Sequence, residues 1–127
     1  MNHDFPSDIK QFIADYIDTI AQLELLLLLR SEPAKAWTAE EAGSALYAAS
    51  DVIALQMADL QSKRLLEAGG KENTFAYRPA NGELARLVDG LANLYKDRRV
   101  AVVTAVYTKP VNKIRSFADA FRLRKDK

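Results

Sequence analysis

The chain has 127 residues, 49% of them apolar, which suits one domain with its own core and a helical extension. It has no cysteine and a single histidine, His3, which excludes disulfides, thiol chemistry and cysteine metal sites and leaves a lone, solvated imidazole without partner ligands. Net charge is only +1, but residues 1–80 hold 7 Lys+Arg against 12 Asp+Glu while residues 81–127 hold 11 against 5, a division that bears on partners rather than on fold.

The opening MNHDFPSDIK lacks the basic start and apolar run of a signal peptide, so a cytoplasmic location is expected. Ser7 is placed to cap a first helix, in which Ile9, Phe12, Ile13, Tyr16, Ile17 and Ile20 follow helical spacing. AQLELLLLLR, residues 21–30, reads as a second helix buried on most sides. It is shorter than the ~20 residues of a membrane span and is interrupted by Glu24, so no span is expected. No Gly or Pro separates these two helices, which leaves open whether they are one. Pro33 ends the run, because it disfavours helix at Glu32.

In WTAEEAGSALY, Thr38 and Glu41 have the spacing of a capping box. After a short turn at Ala48–Ala49, Ser50 is expected to cap the next helix, with Asp51 in its first turn. This helix runs to about Arg64. At ~100° per residue its core face is Ile53, Met57 and Leu60, and its opposite arc carries Asp51, Ala54, Leu55, Ala58, Asp59 and Ser62. LLEAGGKENTFAYRP reads as a β-hairpin, with Gly69, Gly70 and Asn73 supplying the turn and Phe75 and Tyr77 alternating with polar neighbours.

From Asn81 a long helix begins, with Leu84, Leu87, Leu91, Leu94 and Arg98 along one seam and Val88 and Tyr95 beside it. The run VAVVTAVY, residues 100–107, is rich in β-branched residues. It contains no breaker, and a continuing helix is preferred to a strand. Residues 109–127 then combine seven Lys/Arg and two Asp with an apolar stripe of Ile114, Phe117, Ala118 and Phe121. Such a basic amphipathic segment can follow phosphates, lie on an anionic surface, dock in a partner groove, or pack on its own protein.

The motifs LELLLLLRSEP, WTAEEAGSALYAAS, VIALQMADLQSKRLLEAGG and TFAYRP, in this order, resemble the winged helix-turn-helix regulators of bacteria, MarR-like and PadR-like proteins in particular. One departure is Arg64 before Leu65–Leu66, where that family's pattern has glycine. The resemblance implies a mainly α fold with a small β-hairpin wing, a winged helix-turn-helix domain over residues 1–80, and a helical dimerisation and basic tail segment over residues 81–127. It further implies a homodimeric, DNA-binding transcription regulator, because paired half-sites call for a two-fold protein. The candidate DNA contacts are then Ser50, Gln56, Gln61, Lys63, Arg64, Lys71, Asn73 and Arg78. Candidate dimer contacts are Leu84, Leu87, Leu91, Leu94, Tyr95 and Val102; the alternative is that these leucines pack on their own domain.

The residues of the reading helix argue the other way. Base edges are read by Arg, Lys, Asn or Gln, and phosphates must be neutralised for affinity. The outward arc places two carboxylates there and no cation. The competing expectation is a winged-helix protein-interaction module, with the Ala54–Leu55–Ala58 face or the C-terminal tail as its contact. No catalytic constellation, phosphate loop, metal site or cofactor motif is visible, so no enzyme activity is expected. Trp37, Tyr47 and Tyr95 read as core aromatics rather than as a ligand pocket.

Overall fold

Thr19 answers the question left open in the first forty residues. A computed structural model describes residues 5–108, and in it the chain extends at Ile17, after which the Thr19 side chain accepts from the Gln22 backbone N–H at 3.0 Å. Two helices result, α1 (Ser7–Tyr16) and α2 (Ile20–Ser31). The chain continues through β1 (Trp37–Thr38), α3 (Ala39–Leu46), α4 (Ser50–Ser62), β2 (Leu66–Ala68) and β3 (Thr74–Tyr77). It closes with α5 (Gly82–Asp97) and α6 (Arg99–Tyr107). The architecture is mainly helical with a small antiparallel sheet of order β1-β3-β2.

The sheet has one strand more than the expected hairpin. Trp37 pairs with Phe75 and Thr38 with Thr74 on one side of β3, while Leu66 pairs with Tyr77 on the other. A two-residue strand carries no alternation to detect, which is why β1 was invisible in the sequence. Within the hairpin turn Asn73 takes the left-handed conformation (φ 61°) and neither glycine has positive φ. Gly69 answers a packing need instead: a Cβ there would collide with the Thr74 hydroxyl and the Ala36 methyl.

Thr38 and Glu41 form the reciprocal capping box, both hydrogen bonds at 3.0 Å, so α3 starts where its sequence says. Asn81 caps α5 by accepting from the Leu84 N–H at 2.8 Å. Two other expected caps are absent. Ser7 and Ser50 are the first helical residues, preceded by Pro6 and Ala49, and neither helix has a side-chain cap. At α4 the Asp51 carboxylate accepts from the Val52 N–H at 2.8 Å instead. An acidic first-turn residue there meets the exposed donors and the helix dipole together.

The α3–α4 turn is tight. Tyr47 ends α3 in the left-handed conformation (φ 57°), and a Cβ on Gly43 would lie 2.6 Å from the Ala48 carbonyl oxygen. A side chain at position 43 would force the two helices apart. Arg64 occupies the corresponding left-handed position after α4 (φ 69°), where glycine would carry no steric cost.

One hydrophobic cluster takes side chains from all six helices, including Phe12, Leu26, Ala42, Met57, Leu91 and Val102. The inward arc of α4 is Ile53, Met57 and Leu60, all buried, as its periodicity requires. Helices α5 and α6 pack back on α1. The seam of α5 therefore faces its own chain: Leu84, Val88, Leu91 and Tyr95 are buried, and Leu87 and Leu94 are half-buried. Val102 and Val106 complete the same core from α6. The expected dimer seam is thus occupied within one chain, because three-and-four spacing records an apolar face without saying what covers it. The β-branched run 100–107 is helical, but α5 does not continue into it; Arg98 breaks the helix at φ −136°, ψ 57°.

Candidate functional site

Helix α4 and its surroundings hold most of the expected contact residues, and the structure sorts them into three places. The first is an internal polar node. Lys63 donates to the Tyr16 carbonyl oxygen at 2.7 Å and pairs with Asp59 at 2.8 Å and Asp18 at 3.3 Å. Gln22, buried on α2, donates to the same Asp59 oxygen at 2.7 Å and accepts from the Asp18 backbone N–H at 2.9 Å. The Lys63 hydrogen bond holds the Asp59 carboxyl below the usual aspartate value, against a smaller opposing effect of burial and with help from Gln22. Lys63 was expected to face DNA. With 18% of its side chain exposed, it joins the ends of α1 and α4 instead.

The second place is beside the β2–β3 hairpin. Gln61, Arg64 and Arg78 share a cleft of about 260 Å³ with Leu66, Glu67 and Ala80. Arg78 lies 3.9 Å from the Glu67 carboxylate, so part of its charge is answered locally. Lys71 and Asn73 are exposed at the hairpin turn. The structure thus brings together three of the eight candidate DNA contacts and leaves Lys71 and Asn73 at the hairpin turn. Ser50 is half-buried at the start of α4.

The third place is the outward face of α4. Leu55 is 74% exposed and Val52 48% exposed, and Ala54 and Ala58 are exposed beside them. Tyr47, expected in the core, is 97% exposed in the turn that leads into α4. Tyr47 is itself the left-handed residue that ends α3, and this conformation turns its side chain out to solvent. Val52, Leu55 and Gln56 form one side of a groove of about 260 Å³, opposite Asp18, Thr19 and Gln22. Asp59 also lines this groove, and Asp51 stands on the same outward arc of α4. The groove is lined by Asp18 and Asp59, and the Lys63 ammonium that pairs with both is held in the node.

A further polar cluster joins α2 to the α5–α6 break. The Tyr95 hydroxyl donates to Glu24 at 2.8 Å, Arg99 pairs with the same carboxylate at 3.1 Å, and the Arg99 guanidinium lies 4.4 Å from the Tyr95 ring centre. Burial, then the Glu24 hydrogen bond, raises the Tyr95 hydroxyl above its ordinary value. Burial next to Asp89 pushes the Tyr77 hydroxyl up to about 12. Both phenols stay protonated at neutral pH; the Tyr95 hydroxyl is hydrogen-bonded, whereas the buried Tyr77 hydroxyl has no hydrogen-bond partner among the described residues. The expected reach of residues 109–127 lies outside the described residues.

No helix among the described residues is long and apolar enough to cross a membrane. No family model, curated protein or solved structure matches the chain. The functional reading therefore stands on residues and geometry alone.

Proposed function

We propose that the chain is a winged helix-turn-helix module whose α4 face docks protein, and specifically a basic amphipathic helix, rather than reading DNA. The observation that carries this reading is the outward face of α4: Val52 and Leu55 exposed over a groove that Asp18 and Asp59 also line, Asp51 exposed in the helix's first turn, and Lys63 held in the node. An apolar strip with a negative border favours a partner helix with anchors at three-and-four spacing and a positive flank. A polyanion meets the opposite: carboxylates at the groove and few cations to release counterions.

A second reading, a homodimeric DNA-binding transcription regulator, is favoured by the order of the elements and by the exposed Arg64, Lys71 and Arg78 on the wing side. It needs a dimer contact other than the α5 seam. On α6, Val100 and Tyr107 are 78% and 67% exposed and are spaced for one helical face. Fluorescence anisotropy separates the two readings. A labelled lysine–leucine amphipathic helix should bind and be lost on Leu55→Glu, while a random 20-bp duplex should not bind at low salt. Duplex binding weakened by Lys71→Glu and Arg78→Glu would instead support the regulator.

A further inference from the structure

Arg64 holds a left-handed backbone (φ 69°) that its neighbours fix: its N–H donates to the Gln61 carbonyl at 2.9 Å, and its carbonyl accepts from the Ala80 N–H at 2.9 Å. This conformation costs an arginine stability that glycine would not lose. The Arg64 side chain offsets none of that cost. It is exposed and makes no hydrogen bond, ion pair or ring contact among the described residues. An observed backbone outlier of this kind points to a role for the side chain outside the fold. We propose that Arg64 and Arg78 form an anion site in the cleft past the C-terminal end of α4, and that its ligand is a small phosphomonoester held by the terminal phosphate. The site is separate from the α4 docking surface, which lies on the groove around Leu55.

Three observations support the site. The first is convergence. Arg64 and Arg78 line one cleft of about 260 Å³ with the Gln61 side chain beside them. The backbone ties the two stretches together, since the Arg78 N–H donates to the Leu65 carbonyl at 3.1 Å and the Ala80 N–H to that of Arg64. A guanidinium presents a planar fork of donors that matches phosphate oxygens in pairs. The second is charge. On its other side Arg64 borders a larger cleft that holds Asp8, Asp15 and Glu83. Those carboxylates are answered elsewhere: Asp8 and Glu83 pair with Arg86 at 3.3 and 2.8 Å, and Asp15 accepts from the Gln11 amide at 3.0 Å. Glu67 reaches Arg78 only at 3.9 Å with both side chains 62% exposed, a weak hold that an anion can displace. The third is the match to the ligand. A phosphomonoester carries about −1.5 to −2 charge and three acceptor oxygens at neutral pH, which two guanidinia and the Gln61 amide can meet. A phosphodiester carries a single charge and uses the same donors less fully.

Position 64 then exchanges stability for binding. Glycine relaxes the backbone and removes one of the two anchors, and arginine does the reverse. A bound phosphate bridges the end of α4 to the stretch after β3, so it stabilises the folded chain by mass action.

NMR titrations of the full chain at constant ionic strength test the site, with inorganic phosphate as the probe and dimethyl phosphate as the diester control. Inorganic phosphate should shift the Nε–Hε resonances of Arg64 and Arg78 saturably. Arg64→Gly and Arg78→Gln should each weaken binding about tenfold. Glu67→Gln removes the competing carboxylate and should tighten it about threefold. Lys71→Gln, at the hairpin turn outside the cleft, should leave it unchanged. The urea midpoint of Arg64→Gly should rise while its phosphate affinity falls, which separates a lost contact from a lost fold. Dimethyl phosphate should bind about tenfold more weakly than inorganic phosphate. Shifts that grow without saturation at every arginine, or an Arg64→Gly protein that binds phosphate as the unaltered chain does, would overturn the inference. Equal affinity for dimethyl phosphate would overturn it too, and would move both arginines to the DNA-binding reading.

Discussion

Replacing Lys63 by methionine separates a structural lysine from a DNA-contacting one. Methionine keeps most of the apolar stem and removes the ammonium. The losses are the hydrogen bond to the Tyr16 carbonyl at 2.7 Å and the pair with Asp59 at 2.8 Å. A hydrogen bond to a charged group contributes about 1.5–3 kcal/mol when well buried, and an exposed ion pair about 0–1 kcal/mol. The Asp59 side chain is 41% exposed, so its share belongs near the lower figure. Together these give about 1.5–3 kcal/mol of lost stability. With a urea slope of about 2 kcal/mol/M, the unfolding midpoint should fall by roughly 0.7–1.5 M with the slope unchanged. The pH dependence gives an independent sign. The Asp59 carboxyl is depressed in the folded state, so its contribution is present above the ordinary value of 3.8 and is lost as pH falls below it. Lys63→Met should flatten that acid-side loss. An unchanged midpoint together with weakened duplex binding would refute the internal role of Lys63.

Three further substitutions probe the frame. Arg64→Gly relieves a left-handed backbone costing about 1–2 kcal/mol while adding about 0.5–1 kcal/mol of unfolded-state entropy; urea titration should show a net gain of about 0.5 kcal/mol. Leu91→Ala, fully buried in its own chain, should cost about 2–5 kcal/mol and leave the oligomeric state by light scattering unchanged; a shift of mass with little loss of stability would restore the dimer seam. Gly43→Ala should cost about 1–3 kcal/mol by thermal unfolding, since its methyl meets the Ala48 carbonyl rather than a movable side chain.

Local signals in the sequence led to correct structure in part. The Thr38–Glu41 capping box, the helix start at Asn81 and the Ile53–Met57–Leu60 arc are found as read, whereas the equally local Ser7 and Ser50 caps are not formed. Signals that depend on a distant partner were less legible. The α5 seam is periodic, but only the packed chain shows that α1, α2 and α6 cover it. Lys63 looked like a surface cation next to a recognition helix. Its partners Tyr16, Asp18 and Gln22 lie more than forty positions away in sequence, so nothing near position 63 announces them. Tyr47 differs for another reason: an aromatic residue type suggested the core, but Tyr47 is itself the left-handed residue that ends α3, which residue type does not announce. The lack of cations on α4 was legible from the start. The structure adds that the apolar part of that face is open to solvent over a groove.

The most direct test of the α4 face is a competition in one cuvette at low salt. The lysine–leucine helix and a random 20-bp duplex, carrying different fluorophores, are titrated with the full chain and with Leu55→Glu. The docking reading predicts a Leu55-dependent rise in the helix's anisotropy and none in that of the duplex. A salt-sensitive rise for the duplex, indifferent to Leu55→Glu and without helix binding, would contradict it.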